Sequence, residues 1–135
     1  MPSVRTTDLN IPVWMRWGPA LVMMAVIFGS SSIPSYEIPT FGLVDVLVKK
    51  GGHMLGYALL AAAYWWGLGD RRPKAGLTAL LMAMIFAASD EIHQRFVPGR
   101  GSEATDVFID SAGAGIGLAV YALGRRLRRA GKSRL

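Results

Sequence analysis

The stretch that decides the fold is SDEIHQRFVPGR at residues 89–100, which is followed by Asp106 and Asp110. It carries carboxylates, a histidine, an amide and two arginines, yet apolar segments enclose it on both sides. The only polar side chains in residues 75–89 are Thr78 and Ser89, and residues 111–124 contain no charged side chain. A fold for this chain has to bring a charged cluster together between two apolar segments.

The composition favours a membrane protein made of one domain. Hydrophobic residues form 52% of the 135 residues and charged residues 18%, whereas about 25% are charged in soluble domains. The length predicts a single domain covering residues 1–135. The absence of cysteine excludes disulfides and thiolate metal sites. A net charge of +6 suggests nucleic-acid binding, but the apolar content argues against that partner.

Four apolar segments predict an all-α, polytopic membrane protein with transmembrane helices at about residues 15–32, 51–69, 74–92 and 106–124. The first segment has no charge from Trp17 to Tyr36, which is long enough to cross a hydrocarbon core about 30 Å thick. We expect it to be retained, because the residues after it match a signal-peptidase site poorly. Ser102 or Thr105 is expected to cap the fourth helix. The alternative is a soluble bundle, since residues 75–89 and 111–124 are short enough to be buried helices.

The distribution of Lys and Arg predicts the orientation. Most of these residues lie near the N-terminus, in the turn around residue 72 and in the basic tail at residues 125–135. Because positive residues accumulate on the cytoplasmic side, both termini are predicted to be cytoplasmic. The connectors around residues 31–50 and 92–106 would then face outward.

The third and fourth apolar runs are short for membrane helices. Fifteen helical residues extend about 22 Å, less than the thickness of the hydrocarbon core. Asp90, Glu91, Asp106 and Asp110 are therefore expected at or below the outer interface. Ionisable groups at such depth are costly, and they are functional candidates for that reason.

Helical spacing predicts that three helices present polar faces at one level of the membrane. Lys49, His53 and Tyr57 share one face, and Asp90 and Gln94 share another. The third face is a stripe formed by Asp106, Asp110, Gly113 and Gly117. Lipid cannot satisfy such groups, so the faces are expected to meet. The glycines favour close packing between helices.

These residues resemble the VanZ-like family, which consists of small bacterial membrane proteins named for a component of glycopeptide (teicoplanin) resistance. The resemblance covers about residues 15–125 and rests on three motifs: Lys50-x-x-His53-x-x-x-Tyr57-x-x-Leu60, Asp90-Glu91-x-x-Gln94-x-Phe96-x-Pro98-Gly99-Arg100, and Asp106 with the Gly113/Gly117 spacing. It implies a multi-pass protein of the bacterial inner (plasma) membrane, with a link to the cell envelope and to antibiotic resistance. Lys49 and Asp110 depart from the usual pattern, in which an acidic residue and an asparagine are common.

The cluster has a chemical interpretation and a structural one. Clustered carboxylates in a low dielectric can exchange protons, so Asp90, Glu91 and His53 are predicted to act as acid and base. Ligand binding is assigned to Lys50, Tyr57, Gln94, Arg100 and Asp106, with Arg100 and Lys50 holding an anion. The structural alternative is an ion-pair network with Lys50, Arg95 and Arg100 that fixes the helices.

The predicted function is an outward-facing polar pocket that binds, and could modify, a lipid-linked or peptidoglycan-related molecule. The alternative is a small oligomeric transporter or flippase-like protein that uses the carboxylates as a proton relay. A third hypothesis has the outer loops docking a partner enzyme. Membrane lipids are expected partners, with anionic headgroups along the basic tail.

The cluster also contains residues that could bind a divalent metal ion. Its candidate ligands are His53, Asp90, Glu91, His93, Asp106 and Asp110. Their spacing matches no metal signature, so no metal ligand is assigned and the cofactor stays unidentified.

Overall fold

The computed structural model describes residues 11–38, 40–69 and 72–133, and the regular secondary structure within these residues is all helical. Helix α1 is Val13–Ser31, α2 is Leu43–Leu68, α3 is Ala75–Gln94 and α4 is Ala104–Lys132, and a 3₁₀ turn at Ser35–Glu37 joins α1 to α2. The predicted all-α class is confirmed. Arg5, Arg71 and Arg134, which contribute to the predicted orientation, lie outside the described residues.

Three of the four helices have the length and composition of membrane spans. They are α1, α3 and α4. Large apolar side chains cover the outer surface of these helices, with Leu21, Ile85 and Val120 more than 60% exposed. Water-exposed apolar surface of this extent is unusual for a soluble monomer, so these helices support a membrane protein.

Helix α2 differs from the other three in composition because it lies between them. It packs against α1, α3 and α4, and Tyr57, Leu60, Ala61 and Tyr64 are buried on it. A helix surrounded by protein needs less apolar surface than one that faces lipid. The second half of α2 therefore lies inside the bundle, whereas residues at its start, such as Leu43 and Val48, are exposed.

Helix α2 begins at Leu43, earlier than the predicted start at residue 51. Gly42 precedes it with a φ of 64°, a backbone conformation that favours glycine. Lys49, Lys50 and His53 consequently lie inside a helix of 26 residues, not at its beginning. His53 is about 15 Å along the helix axis from Leu43.

Helix α4 also differs from its predicted form at both ends. It continues through Lys132, so residues 125–132 of the predicted basic tail are helical. Neither Ser102 nor Thr105 is the N-cap; Glu103 occupies that position without a side-chain cap bond. The Glu103 backbone N–H instead donates to the Glu91 carboxylate at 2.7 Å, which ties the start of α4 to the end of α3.

Small residues set the close spacing of the helices. Ala75, Ala79, Ala83 and Ala87 form a buried stripe on α3. A Cβ atom on Gly113 would overlap the backbone of Met54, and one on Gly117 would overlap the backbone of Ala58. The predicted packing role of these two glycines is confirmed, because only glycine allows α4 to approach α2 so closely.

Candidate functional site

A polar cleft opens at the end of the bundle where α1 and α3 end and α4 begins. Its volume is about 210 Å³. The residues that line it come from α2, the end of α3, α4, the 3₁₀ turn and the α3–α4 loop: Ser35, Asp45, Val46, Lys49, Lys50, His53, Gln94, Arg100, Gly101, Asp106, Ile109 and Asp110. The polar faces predicted on three helices therefore do meet in one place.

One wall of the cleft consists of ion pairs between α2 and α4. Lys50 Nζ lies 3.0 Å from Asp106 Oδ1, and His53 Nδ1 lies 3.6 Å from Asp110 Oδ2. The second distance is longer than an ordinary hydrogen bond, and the contact is an ion pair only when His53 is protonated. We call Lys50, His53, Asp106 and Asp110 the α2–α4 wall.

The opposite wall is a hydrogen-bond chain around a single carboxylate. Asp90 Oδ2 accepts a bond from Ser31 Oγ at 2.7 Å and one from Gln94 Nε2 at 3.2 Å. Gln94 Oε1 in turn accepts a bond from Arg100 Nη1 at 3.3 Å. We call Ser31, Asp90, Gln94 and Arg100 the α1–α3 wall.

Arg100 reaches the cleft from a fixed turn in the α3–α4 loop. The Arg100 N–H donates to Val97 O at 3.2 Å, and Gly99 has a φ of 73°, as the Pro98-Gly99 pair predicts. The guanidinium also donates from Nε to Ile33 O at 3.2 Å and from Nη2 to Ser30 O at 3.0 Å. The side chain thus fastens the loop to the end of α1.

The predicted site residues divide into two groups. Those that line the cleft are Lys50, His53, Gln94, Arg100 and Asp106. Asp90, Glu91 and Tyr57 lie behind it and are at most 5% exposed. Asp90 Oδ1 and Tyr57 Oη have no hydrogen-bond partner among the described residues, and Glu91 holds the start of α4 as described above.

The partner of His53 differs from the one expected of the predicted acid–base set. His53 is paired with Asp110, and no hydrogen bond or ion pair joins it to Asp90 or Glu91 within the described part of the chain. The family resemblance gives Asp110 no role, because an asparagine is common at that position. Its position one turn after Asp106 on the same stripe was the signal that could have identified it.

Ser31 is a site residue that the sequence analysis missed. It is fully buried, and it is the only partner that α1 contributes to Asp90. The sequence interpretation treated residues 30–32 as the end of a helix. A polar residue that ends an apolar helix at the level of Asp90 was the available signal.

His93 and Arg95 do not line the cleft and contact other residues. His93 Nε2 lies 3.0 Å from Ser32 Oγ, and the ring stacks on Phe28 with centroids 4.2 Å apart. Arg95 donates to Ser102 Oγ at 3.1 Å. Among the described residues, no three of the candidate ligands are grouped as a metal site requires.

The family model described as VanZ/LLP1 matches residues 15–125. The chain belongs to the VanZ/LLP1 family. The matched span includes every residue that lines the cleft. No curated protein and no solved structure matches the chain.

The cleft of this VanZ/LLP1 protein combines paired and unpaired charges. Asp45 pairs with Lys49 at 2.7 Å, as their i, i+4 spacing predicts, and Lys50 pairs with Asp106. Arg100 makes its hydrogen bonds to uncharged acceptors. Such a cleft can orient a polar molecule by hydrogen bonds and attract an anion, and the His53 imidazole is the group in it that is suited to proton transfer.

Proposed function

We propose that this protein binds a cell-envelope molecule, lipid-linked or related to peptidoglycan, in the polar cleft, which opens on the outer side of the bacterial inner membrane. The observation that carries the proposal is the cleft itself. Charged and amide side chains line it, while the helices around it present apolar surface. A bundle that only had to pack in lipid would not need so many ionisable groups at one level.

The proposed topology has four spans and cytoplasmic termini. Helix α2 counts as a span in this proposal because it lies between three apolar helices. Arg72, Lys74 and the basic residues of the last turns of α4 gather at the end of the bundle opposite the cleft. The positive-inside rule assigns that end to the cytoplasm, so the cleft would open outward.

The cleft extends deeper into the membrane than an interfacial site would. Leu43, Val44, Leu47 and Val48, in the first turns of α2, are exposed apolar residues, so these turns suit lipid better than water. His53 lies about 15 Å beyond Leu43 along the helix axis, about half the thickness of the hydrocarbon core. We place the floor of the cleft, formed by His53 and Asp110, well below the outer interface.

The structure supports different roles for the candidate residues. We propose that the ligand contacts five of the residues that line the cleft: Lys50, His53, Gln94, Arg100 and Asp106. Asp90 and Glu91 would act indirectly, since Asp90 holds Gln94 in place and Glu91 holds the loop that carries Arg100. If the ligand is modified, His53 is the acid or base candidate, and Asp110 is its partner.

The transporter alternative has less support from the described core. A proton relay needs polar groups that continue across the membrane. Beyond Tyr57, the buried residues of α2 are Leu60, Ala61, Tyr64 and Gly67, and the residues of α3 buried before Asp90 are alanines. The Tyr64 hydroxyl is a single polar group at this level, not a continuous series. We therefore limit the proposal to binding, with modification as its extension.

The two histidines of the chain provide a matched test. In a strain whose teicoplanin tolerance depends on this protein, we expect His53→Gln to abolish the tolerance and change the envelope composition. His93→Gln, which lies outside the cleft, should leave both unchanged at equal expression. If the two variants behave alike, or if His53→Gln behaves as wild type, the cleft is not the functional site.

A further inference from the structure

The three Lys and Arg side chains that line the cleft are not equivalent. Lys49 lies 2.7 Å from Asp45 and Lys50 lies 3.0 Å from Asp106, so a carboxylate offsets each ammonium charge. Arg100 has no carboxylate at ion-pair distance within the described residues. Of the cations facing the cleft, Arg100 is therefore the one whose charge has no direct partner.

Hydrogen bonds hold the guanidinium of Arg100 in place, and some of its N–H donors remain unused. It carries five N–H groups, and three of them bond to Ile33 O, Ser30 O and Gln94 Oε1. Two N–H groups remain for a ligand. A guanidinium fixed in this way loses little entropy on binding, and its fork fits phosphate or carboxylate oxygens.

The neighbouring carboxylates do not replace such a ligand. Asp90 is linked to Arg100 only through Gln94, and it is 1% exposed, so it does not reach the cleft. Glu91 accepts the backbone N–H of Glu103. Asp106 and Asp110 line the cleft, but they lie at ion-pair distance from Lys50 and His53, not from Arg100. An oxyanion that enters the cleft would be the direct charge partner of Arg100.

The surface beside the cleft is apolar. Val46 and Ile109 are part of its lining. Leu43 and Leu47 flank the cleft-facing residues of α2 on the same helical turns, and they are 74% and 64% exposed. A ligand whose polar group occupies the cleft would therefore lie against surface that an acyl or prenyl chain covers well.

We propose that the cleft binds the oxyanion group, phosphate or carboxylate, of an amphiphile, that Arg100 recognises this group, and that the chain of the amphiphile lies along the outer turns of α2. This inference rests on the proposed function and restricts its ligand to one chemical class. The Lys50–Asp106 pair shapes the cleft and does not recognise the anion. The ligand class is thus an anionic envelope lipid or lipid-linked intermediate, not a neutral glycan.

Native mass spectrometry of the purified full chain in a neutral detergent tests the proposal. The probes are dioleoyl phosphatidic acid and, as the uncharged analogue, dioleoylglycerol. We expect one saturable phosphatidic acid adduct, and Arg100→Gln should weaken it by about tenfold or more. Arg100→Lys should give an intermediate affinity, because it keeps the charge but loses the fork. The control is Arg128→Gln, on the exposed basic end of α4, which should bind as wild type.

A second measurement on the unaltered chain covers the case in which the Arg100 variants do not fold. A photoreactive phosphatidic acid should crosslink to residues 43–53 and 106–110. Crosslinks confined to residues 125–132 would overturn the proposal, as would full affinity in a folded Arg100→Gln. Displacement of the adduct by excess inorganic phosphate would show that the cleft binds a free anion as well as it binds the lipid. This outcome would overturn the proposed contact between the acyl chain and α2.

The outcomes separate this inference from the proposed function. If phosphatidic acid and dioleoylglycerol crosslink equally to the cleft, the cleft binds envelope lipids but Arg100 does not select an anion. If neither crosslinks there and His53→Gln also has no effect in cells, the proposed function fails as well.

Discussion

The two walls of the cleft stabilise their charged side chains in different ways. In the α2–α4 wall, acids and bases neutralise each other across the gap, as Lys50 and Asp106 do. In the α1–α3 wall, neutral groups surround one buried carboxylate, Asp90, and separate it from Arg100. In the first wall, the lysine has a carboxylate as its direct partner. The second leaves a cation facing the cleft, and this difference is why we assign ligand recognition to Arg100.

The contact that supports the α2–α4 wall should be the most sensitive to mutation. Gly117→Ala would place a methyl group against the Ala58 backbone, which cannot move without separating the helices. We expect a cost of about 3 kcal/mol or more, at or above the usual range for overpacking. Gly115→Ala is the matched control, because nothing lies within 4 Å of its Cβ position.

Thermal unfolding in detergent, together with the yield of monodisperse protein, measures this effect. Gly117→Ala should reduce both, and Gly115→Ala should leave both unchanged. Equal behaviour of the two variants would contradict the close approach of α4 to α2.

Aspartates from the two walls should differ in their contribution to stability. Asp90→Ala leaves the buried donors of Ser31 and Gln94 without their acceptor, which should cost about 1–3 kcal/mol. Asp106→Ala should cost less, because the side chains of its pair with Lys50 are 30% and 42% exposed and solvent screens such pairs.

The same thermal unfolding experiment ranks the two aspartate variants. A larger loss for Asp106→Ala than for Asp90→Ala would contradict our description of the walls. Added salt should reduce the effect of Asp106→Ala and leave that of Asp90→Ala nearly unchanged.

The sequence was sufficient to predict the number of helices and the residues that share a polar face on each helix. Hydropathy predicted four helices, and residues 97–100 predicted the turn at Gly99. Spacing of i, i+4 places Lys49 with His53 and Asp106 with Asp110, because this spacing is a property of any helix. The small residues at 113 and 117 likewise predicted a close helix contact.

The sequence could not determine how each helix is rotated toward its neighbours. Asp90 and Glu91 are adjacent, so they point about 100° apart, and only packing decides that one meets Ser31 and the other meets Glu103. The pairing of His53 with Asp110 depends on the same rotation. The bound of the second membrane segment was set too late, because Asp45 and Lys49 interrupt the apolar pattern before residue 51, although their i, i+4 spacing is itself helical.

Cysteine accessibility from outside the cell tests most directly the central claim, which is that a water-accessible polar cleft opens outward within a lipid-facing bundle. The chain has no native cysteine, so Ile109→Cys and Phe108→Cys give two clean single-cysteine variants at the same depth. Ile109 lines the cleft, whereas Phe108 is 81% exposed on a face that we assign to lipid. In intact cells, a membrane-impermeant maleimide should label Ile109→Cys and spare Phe108→Cys. Faster labelling of Phe108→Cys, or labelling of Ile109→Cys only after lysis, would contradict the account.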